Sequence, residues 1–198
     1  MPAENAKYYD IRSELFADAF SRGLRFDAYV SSGNEAQGRR WNSTLGELTL
    51  SEQQKQTAAG FVRRLNILVL SGIWCGDCAR QGPMLHLIEQ SSPLIECRYI
   101  ESRAEPALQD ELRIIGATRV PVVVMLSEDF FELSRFGDRT LAAYRRKAAT
   151  ESGPACAVGI GKPATEELGL EMAEWFELVE RAQLLLRLAP SLRQRYGD

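Results

Sequence analysis

Ile67-Leu68-Val69-Leu70-Ser71-Gly72-Ile73-Trp74-Cys75-Gly76-Asp77-Cys78 is the stretch on which the fold turns. Leu65 to Leu70 is a continuous apolar run, suited to a strand buried on both faces. Ser71-Gly72-Ile73 reads as a turn, and Cys75 to Gln90 as a helix with Met84, Leu85, Leu87 and Ile88 inward. Two residues between Cys75 and Cys78 place both sulfurs in the first turn of that helix, close enough to bridge with little strain. At a helix start the unpaired N–H groups and the positive end of the dipole favour negative charge. The first cysteine can therefore hold a thiolate near neutral pH, where a free cysteine, with a pKa of about 8.5, is mostly protonated.

Further along, the pattern alternates strand and helix. Leu94 to Ile100 is expected as a strand, Ala107 to Ile115 as a helix, Val120 to Leu126 as a strand and Phe130 to Phe136 as its hairpin partner. The result is a β-α-β unit followed by an antiparallel pair. Arg119-Val120-Pro121 opens the third strand about forty residues after the cysteines. Proline is the residue for which a cis bond is cheap, about 0.5–1 kcal/mol. A cis Val120-Pro121 bond beside the thiols leaves the Val120 backbone free to pair with an extended peptide.

With these residues in place the chain resembles the thioredoxin superfamily over roughly residues 63–149. The resemblance rests on three matches in the right order: Trp74-Cys75-Gly76-Asp77-Cys78, Val120-Pro121, and Gly137 closing the hairpin. It implies a three-layer α/β/α core and thiol–disulfide exchange. Cys75 is then the attacking nucleophile and Cys78 resolves the mixed disulfide to leave an internal bridge. It further implies a cis Pro121 and a substrate groove formed by Trp74, Val120, Pro121 and Gly137. Disulfide-containing proteins are the expected substrates. No cofactor is expected, and since the sequence has no glycine-rich flavin or nicotinamide fingerprint, an external reductant must reset the pair.

Two departures from thioredoxin stand out. The buried acid that thioredoxins carry six residues before the nucleophile is Val69 here, so proton transfer to and from Cys78 needs another route. Asp77 replaces a proline, and its carboxylate opposes thiolate formation while the helix dipole favours it. Gly76, Asp77 and Arg119 are candidate modulators of the pair, with Asp77 also able to cap the helix start and Arg119 able to steer substrates. The expectation is a reducing rather than a strongly oxidising couple.

The flanks read as additions. Tyr8, Ile11, Leu15, Phe16, Ala19 and Phe20 recur at helical steps, and that helix ends near Arg22-Gly23. Between Phe26 and Leu50 the pattern breaks up around Ser31-Ser32-Gly33-Asn34 and Gly38, with Trp41 as the large apolar anchor. Ser51 and Gln54 have capping-box spacing and start a helix expected to run to about Arg64. After a helix from Thr140 to Ala149, the Gly- and Pro-rich run 152–163 reads as a loop. A final helix begins near Thr165, with Leu168, Met172, Trp175, Val179, Ala182 and Leu186 on one seam. The division is a helical N-terminal extension (1–62), the thioredoxin-like domain (63–149), and a linker with a long C-terminal helix packed on the core (150–198).

Rival readings of the same residues are few. A zinc site needs a second close pair, and Cys97, Cys156 and His86 do not supply one, since His86 lies three turns along the helix from Cys75. An adaptor module that keeps the fold, with the pair structural or metal-bound, is the alternative function. Cys97 reads as a buried core residue, Cys156 as a loop thiol open to oxidation, and His86 as a packing or surface residue. Arg135, Arg139, Arg145, Arg146 and Lys147, interleaved with Glu132 and Asp138, read as a solvated face. Gly161-Lys162 fails as a phosphate loop because Cys156 and Pro163 stand at required positions.

Composition bounds the rest. The 198 residues are 45% hydrophobic and 26% charged with a net charge of −3, which argues against a nucleic-acid partner and allows one substantial core with additions. No apolar run approaches the roughly 20 residues needed to span a bilayer, and the start of the chain does not resemble a secretory signal. A cytoplasmic protein, monomer or weak dimer, is expected. Four cysteines are too few for a disulfide framework at this length, so a close pair points to redox or metal chemistry.

Overall fold

Residues 8–151 and 164–197 are described by the structure, a computed structural model. At its centre lie β1 (Leu65–Ser71), β2 (Ile95–Glu101), β3 (Val122–Leu126) and β4 (Glu132–Gly137), in the order β2-β1-β3-β4. β1 runs parallel to β2 and antiparallel to β3, and β4 is antiparallel to β3. Every residue of β1 is buried, as its unbroken apolar run requires.

Side chains alternate across the sheet and so feed two cores. Ile67, Val69, Cys97, Tyr99, Val123 and Met125 face one; Leu68, Leu70, Ile100, Val122, Val124 and Leu126 face the other. Over the second core lie α1 (Ser13–Arg22), through Phe16, Ala19 and Phe20, and α6 (Pro106–Glu111), through Leu108. The first is covered by α2 (Phe26–Ser31), α3 (Glu35–Glu47), α4 (Glu52–Ala59), α5 (Gly76–Gln90), α8 (Ala164–Leu188) and α9 (Pro190–Tyr196). The architecture is the expected three-layer α/β/α arrangement with helical additions at both ends. The seam Leu168, Met172, Trp175, Val179, Ala182 and Leu186 is buried along its length, which docks α8 on the sheet.

Several expectations need correction. The stretch after Phe26 is helical rather than broken, because Asn34 and Gln37 form a reciprocal capping box that starts α3. Trp41 on α3 is fully buried, and its ring lies where a Cβ on Gly82 of α5 would come within 2.2 Å. Glycine at 82 thus lets the two helices close. The Ser51–Gln54 box is present, but its helix stops at Ala59, before Gly60. α1 starts at Ser13, leaving Ile11 exposed instead of on the helix face. α6 ends at Glu111, ahead of a tight turn that pairs Ile114 with Ala117 through Ile115 and Gly116, both at positive φ. β3 starts at Val122 because Pro121 has no N–H to give the ladder. α7 (Leu141–Glu151) follows the expected position closely. The 152–163 loop, with Cys156 and Gly161-Lys162-Pro163, lies outside the described residues.

Candidate functional site

β1 delivers the chain to the start of α5, where Cys75 is the N-cap residue. Its extended backbone lets Sγ accept a hydrogen bond from the Cys78 N–H at 3.4 Å, the role a serine or aspartate oxygen usually takes. Cys78, on the first turn, is completely buried, and its Sγ accepts from the Gly72 N–H at 3.4 Å. Cys75 is half-buried. The pair is present as two free thiols, so the predicted internal bridge is not formed in this structure.

The two sulfurs differ in acidity. Cys75 is lowered to about 6, first by a hydrogen bond from the Cys78 thiol; burial opposes this, the N–H groups of Cys78 and Asp77 add to it, and the Asp77 charge works against it. Cys78 is pushed strongly upward, by burial first and then by its neighbour Cys75. The proton therefore resides on Cys78 and the negative charge on Cys75.

Around this pair the other sequence-predicted residues converge. Val120-Pro121 is cis, and the Cys75 Sγ lies 3.7 Å from the Val120 carbonyl oxygen, to which it donates only when protonated. Gly137 pairs with Val122, and a Cβ on it would stand 2.7 Å from the Pro121 carbonyl oxygen, so a side chain there would push the proline loop away. Trp74 is 42% exposed beside the pair. Its Nε1 donates to Glu101 at 3.3 Å, and the Arg103 guanidinium lies over its ring at 4.4 Å. Below it, the Trp41 Nε1 donates to the Ile73 carbonyl at 3.3 Å, fixing the loop that leads into Cys75.

A charged network flanks the other side. Arg119 donates to the Asp138 carboxylate at 3.1 Å, and Arg139 bridges Asp138 at 2.9 Å and Asp77 at 2.5 Å. Tyr144 also donates to Asp138, whose backbone carbonyl accepts from Gln81. Burial would raise the Asp138 carboxyl, but the Tyr144 hydroxyl, its own N–H, and Arg119 and Arg139 outweigh it and hold it low. Arg139 is thus part of the site, not of a solvated face; Arg135 and Arg146 are likewise engaged, with Glu111 and Glu132 and with Glu167 and Glu171. Sequence reasoning did not single out Asp138, Tyr144 or Glu101 as site residues, because they reach the pair only through others: Glu101 through Ile73 and Trp74, and Asp138, with Tyr144 on it, through Arg139 and Asp77. The signal available was Asp138 directly after Gly137.

Val69 is buried among apolar neighbours, so no carboxylate stands at that position of the sheet. Cys97 is buried mid-strand, its thiol donating to the Leu85 carbonyl at 3.7 Å. His86 stacks on Phe26 with ring centroids 4.1 Å apart and hydrogen-bonds Glu89 and Gln90. Among the described residues no three His, Cys, Asp or Glu side chains are grouped as metal ligands would be, and no helix is long and apolar enough to cross a membrane.

Comparison with known proteins places this arrangement. The profile of a family described as thioredoxin matches residues 23–148, more than half of the chain. A protein of unknown function from Pseudomonas aeruginosa has a crystal structure with a TM-score of 0.65 at 24% identity, covering 84% of this chain and 95% of that one. An HIV epitope scaffold aligns with a TM-score of 0.64 at 23% identity, over 84% of this chain and 96% of its own. These likenesses speak to the fold alone. None of the curated proteins matches this chain.

Proposed function

This chain belongs to the thioredoxin family, and from that premise we propose that it is a thiol–disulfide oxidoreductase that reduces protein disulfides through Cys75 and Cys78. The observation that carries this reading is the asymmetry of the pair: a half-exposed Cys75 at the helix cap with its pKa lowered to about 6, against a buried Cys78 that keeps its proton.

The chemistry follows from that division. The Cys75 thiolate attacks one sulfur of a substrate disulfide, forming a mixed disulfide and releasing the other sulfur as a thiolate. Cys78 then attacks Cys75 Sγ, the intermolecular bond breaks, and the reduced substrate leaves with an internal Cys75–Cys78 bridge behind. An external dithiol or reductase returns two electrons to reset the pair. Trp74, Val120, Pro121 and Gly137 form the groove in which an extended substrate chain lies against the Val120 backbone. Asp77 and Arg119, with Gly76 leaving the helix start uncrowded, tune the thiolate and the approach to it. A cytoplasmic setting fits a pair whose working form is the dithiol.

The test is insulin disulfide reduction with dithiothreitol, comparing the wild type with Cys75→Ser. Acceleration by the wild type that vanishes in the variant is the expected result; equal rates remove the proposal. A measured potential near the roughly −120 mV of strong oxidants would reverse the direction of electron flow.

A further inference from the structure

Cys78 must lose its proton when it attacks the mixed disulfide, yet its sulfur is fully buried and Val69 puts no carboxylate within the apolar core below it. The ends of β1 and β2 supply what that position lacks. Val69 pairs with Tyr99 and Ser71 with Glu101, so Ser71 and Glu101 fall on the same face of the sheet as Val69 and Tyr99, the face under α5. Ser71 Oγ is fully buried and, among the described residues, has no fixed hydrogen-bond partner. It lies in interaction reach of the Cys78 thiol on one side and the Tyr29 hydroxyl on the other. Tyr29 stacks on Tyr99 with centroids 5.6 Å apart, and its hydroxyl donates to Glu101 at 3.4 Å. Glu101 is only half-buried and so reaches solvent.

Resting on the oxidoreductase reading above, we propose that Ser71, Tyr29 and Glu101 form a proton relay that carries the Cys78 proton to solvent during resolution of the mixed disulfide. Ser71 Oγ takes the thiol proton and passes its own to Tyr29; Tyr29 passes its own to the Glu101 carboxylate, which releases it to water. The Cys78 electron pair forms the bond to Cys75, and the substrate sulfur leaves as a thiolate that takes a proton from water. A buried hydroxyl without a fixed partner can turn from one neighbour to the other, as such a link requires. Burial also pushes Tyr29 upward in pKa, keeping it an intact hydroxyl rather than a phenolate. The charged and titratable groups facing Cys78 are Cys75 on its own helix, Tyr29 from α2 and Glu101 through Tyr29. Of the three, Ser71 is the one placed to act on the Cys78 sulfur; Tyr29 and Glu101 are positioning residues that act through it.

Stopped-flow reaction with 5,5′-dithiobis(2-nitrobenzoate) separates the steps, since Cys75 attack releases the first thionitrobenzoate and Cys78 attack the second. In Ser71→Ala and in Tyr29→Phe the second phase should slow about tenfold or more relative to the first, within the range of proton-transfer catalysis. It should also become first order in hydroxide. Ser71→Thr, which keeps the hydroxyl, should restore both rate and pH profile. Glu101→Gln should share the slow second phase; as Glu101 also holds Trp74 and Ile73, it is read only beside the other two. A wild type without a first phase would end the oxidoreductase reading itself. A wild type with both phases, and variants that reproduce its second phase and pH profile, would overturn the relay and leave that reading standing.

Discussion

Cys75 stands half-open at the tip of α5 with backbone N–H groups aimed at its sulfur, whereas Cys78 lies one turn further on with its sulfur against the core. The residue type is the same and the acidities move in opposite directions. The difference teaches that position divides the two thiols: the Cys78 thiol and the N–H groups at the helix cap lower the first against its own partial burial, while desolvation, with Cys75 beside it, raises the second. Each sulfur also sharpens the other, because a proton held on Cys78 is donated toward the Cys75 thiolate.

The sharpest way to break the comparison is to remove each sulfur in turn. Cys75→Ser should abolish disulfide reduction, whereas Cys78→Ser should still attack substrate and then stall, accumulating a covalent adduct visible by intact-protein mass spectrometry. Adduct formation by the Cys75→Ser protein would show that the roles are reversed.

Alkylation reads the same contrast without mutation. Iodoacetamide reacts with the thiolate, so the rate at Cys75 should climb as pH rises through about 6 and level off above neutrality. Cys78 should stay unmodified in the folded protein over the same range, because its pKa is raised rather than lowered. Peptide-resolved mass spectrometry across pH 4 to 9 reports both; a Cys75 midpoint near the free-thiol value of about 8.5 would remove the asymmetry.

Beneath the pair, Trp41 serves the stability of the core, whereas the acidity of Cys75 is set by groups on α5 itself. Trp41 is fully buried against Gly82 and holds the Ile73 carbonyl. Trp41→Ala should cost about 3–5 kcal/mol in denaturant unfolding, while the Cys75 alkylation midpoint of the fraction still folded moves little. A loss well under 1 kcal/mol would mean that the helix pair α3–α5 closes without it.

Trp41 also marks where the sequence is readable and where it is not. β1, α5 and α8 follow from local pattern, since an unbroken apolar run and a sustained helical seam each specify burial by themselves. The box at Ser51–Gln54 is equally local. Asn34–Gln37 has the same spacing, yet Gly33 and Gly38 on either side read as turn signals, and only the burial of Trp41 shows that packing outweighs them. At the site, Cys75 and Cys78 are legible from their spacing at a helix start, and Pro121 and Gly137 because each residue type announces a backbone constraint. Glu101 and Arg139 are ordinary polar residues whose site partners lie far away in the chain: Arg139 finds Asp77 and Glu101 finds Trp74 only once the ends of β2 and β4 come beside the start of α5, and Asp138 and Tyr144 join through Arg139. Nothing in a linear pattern records that convergence.

The last and smallest effect tests whether that unread network acts on the asymmetry. The Asp77 carboxylate opposes the Cys75 thiolate, and Arg139 at 2.5 Å offsets that carboxylate. Removing the acid and removing its partner should therefore shift Cys75 in opposite directions. Asp77→Asn should lower the alkylation midpoint by about half a unit, and Arg139→Gln should raise it by a similar amount. Both shifts should shrink in high salt, since the ion pair is partly exposed and its charges are screened. In the double variant the Arg139 effect should largely disappear, because the charge it offset is gone; a full-sized Arg139 effect there would mean that the guanidinium acts on the sulfur directly rather than through Asp77.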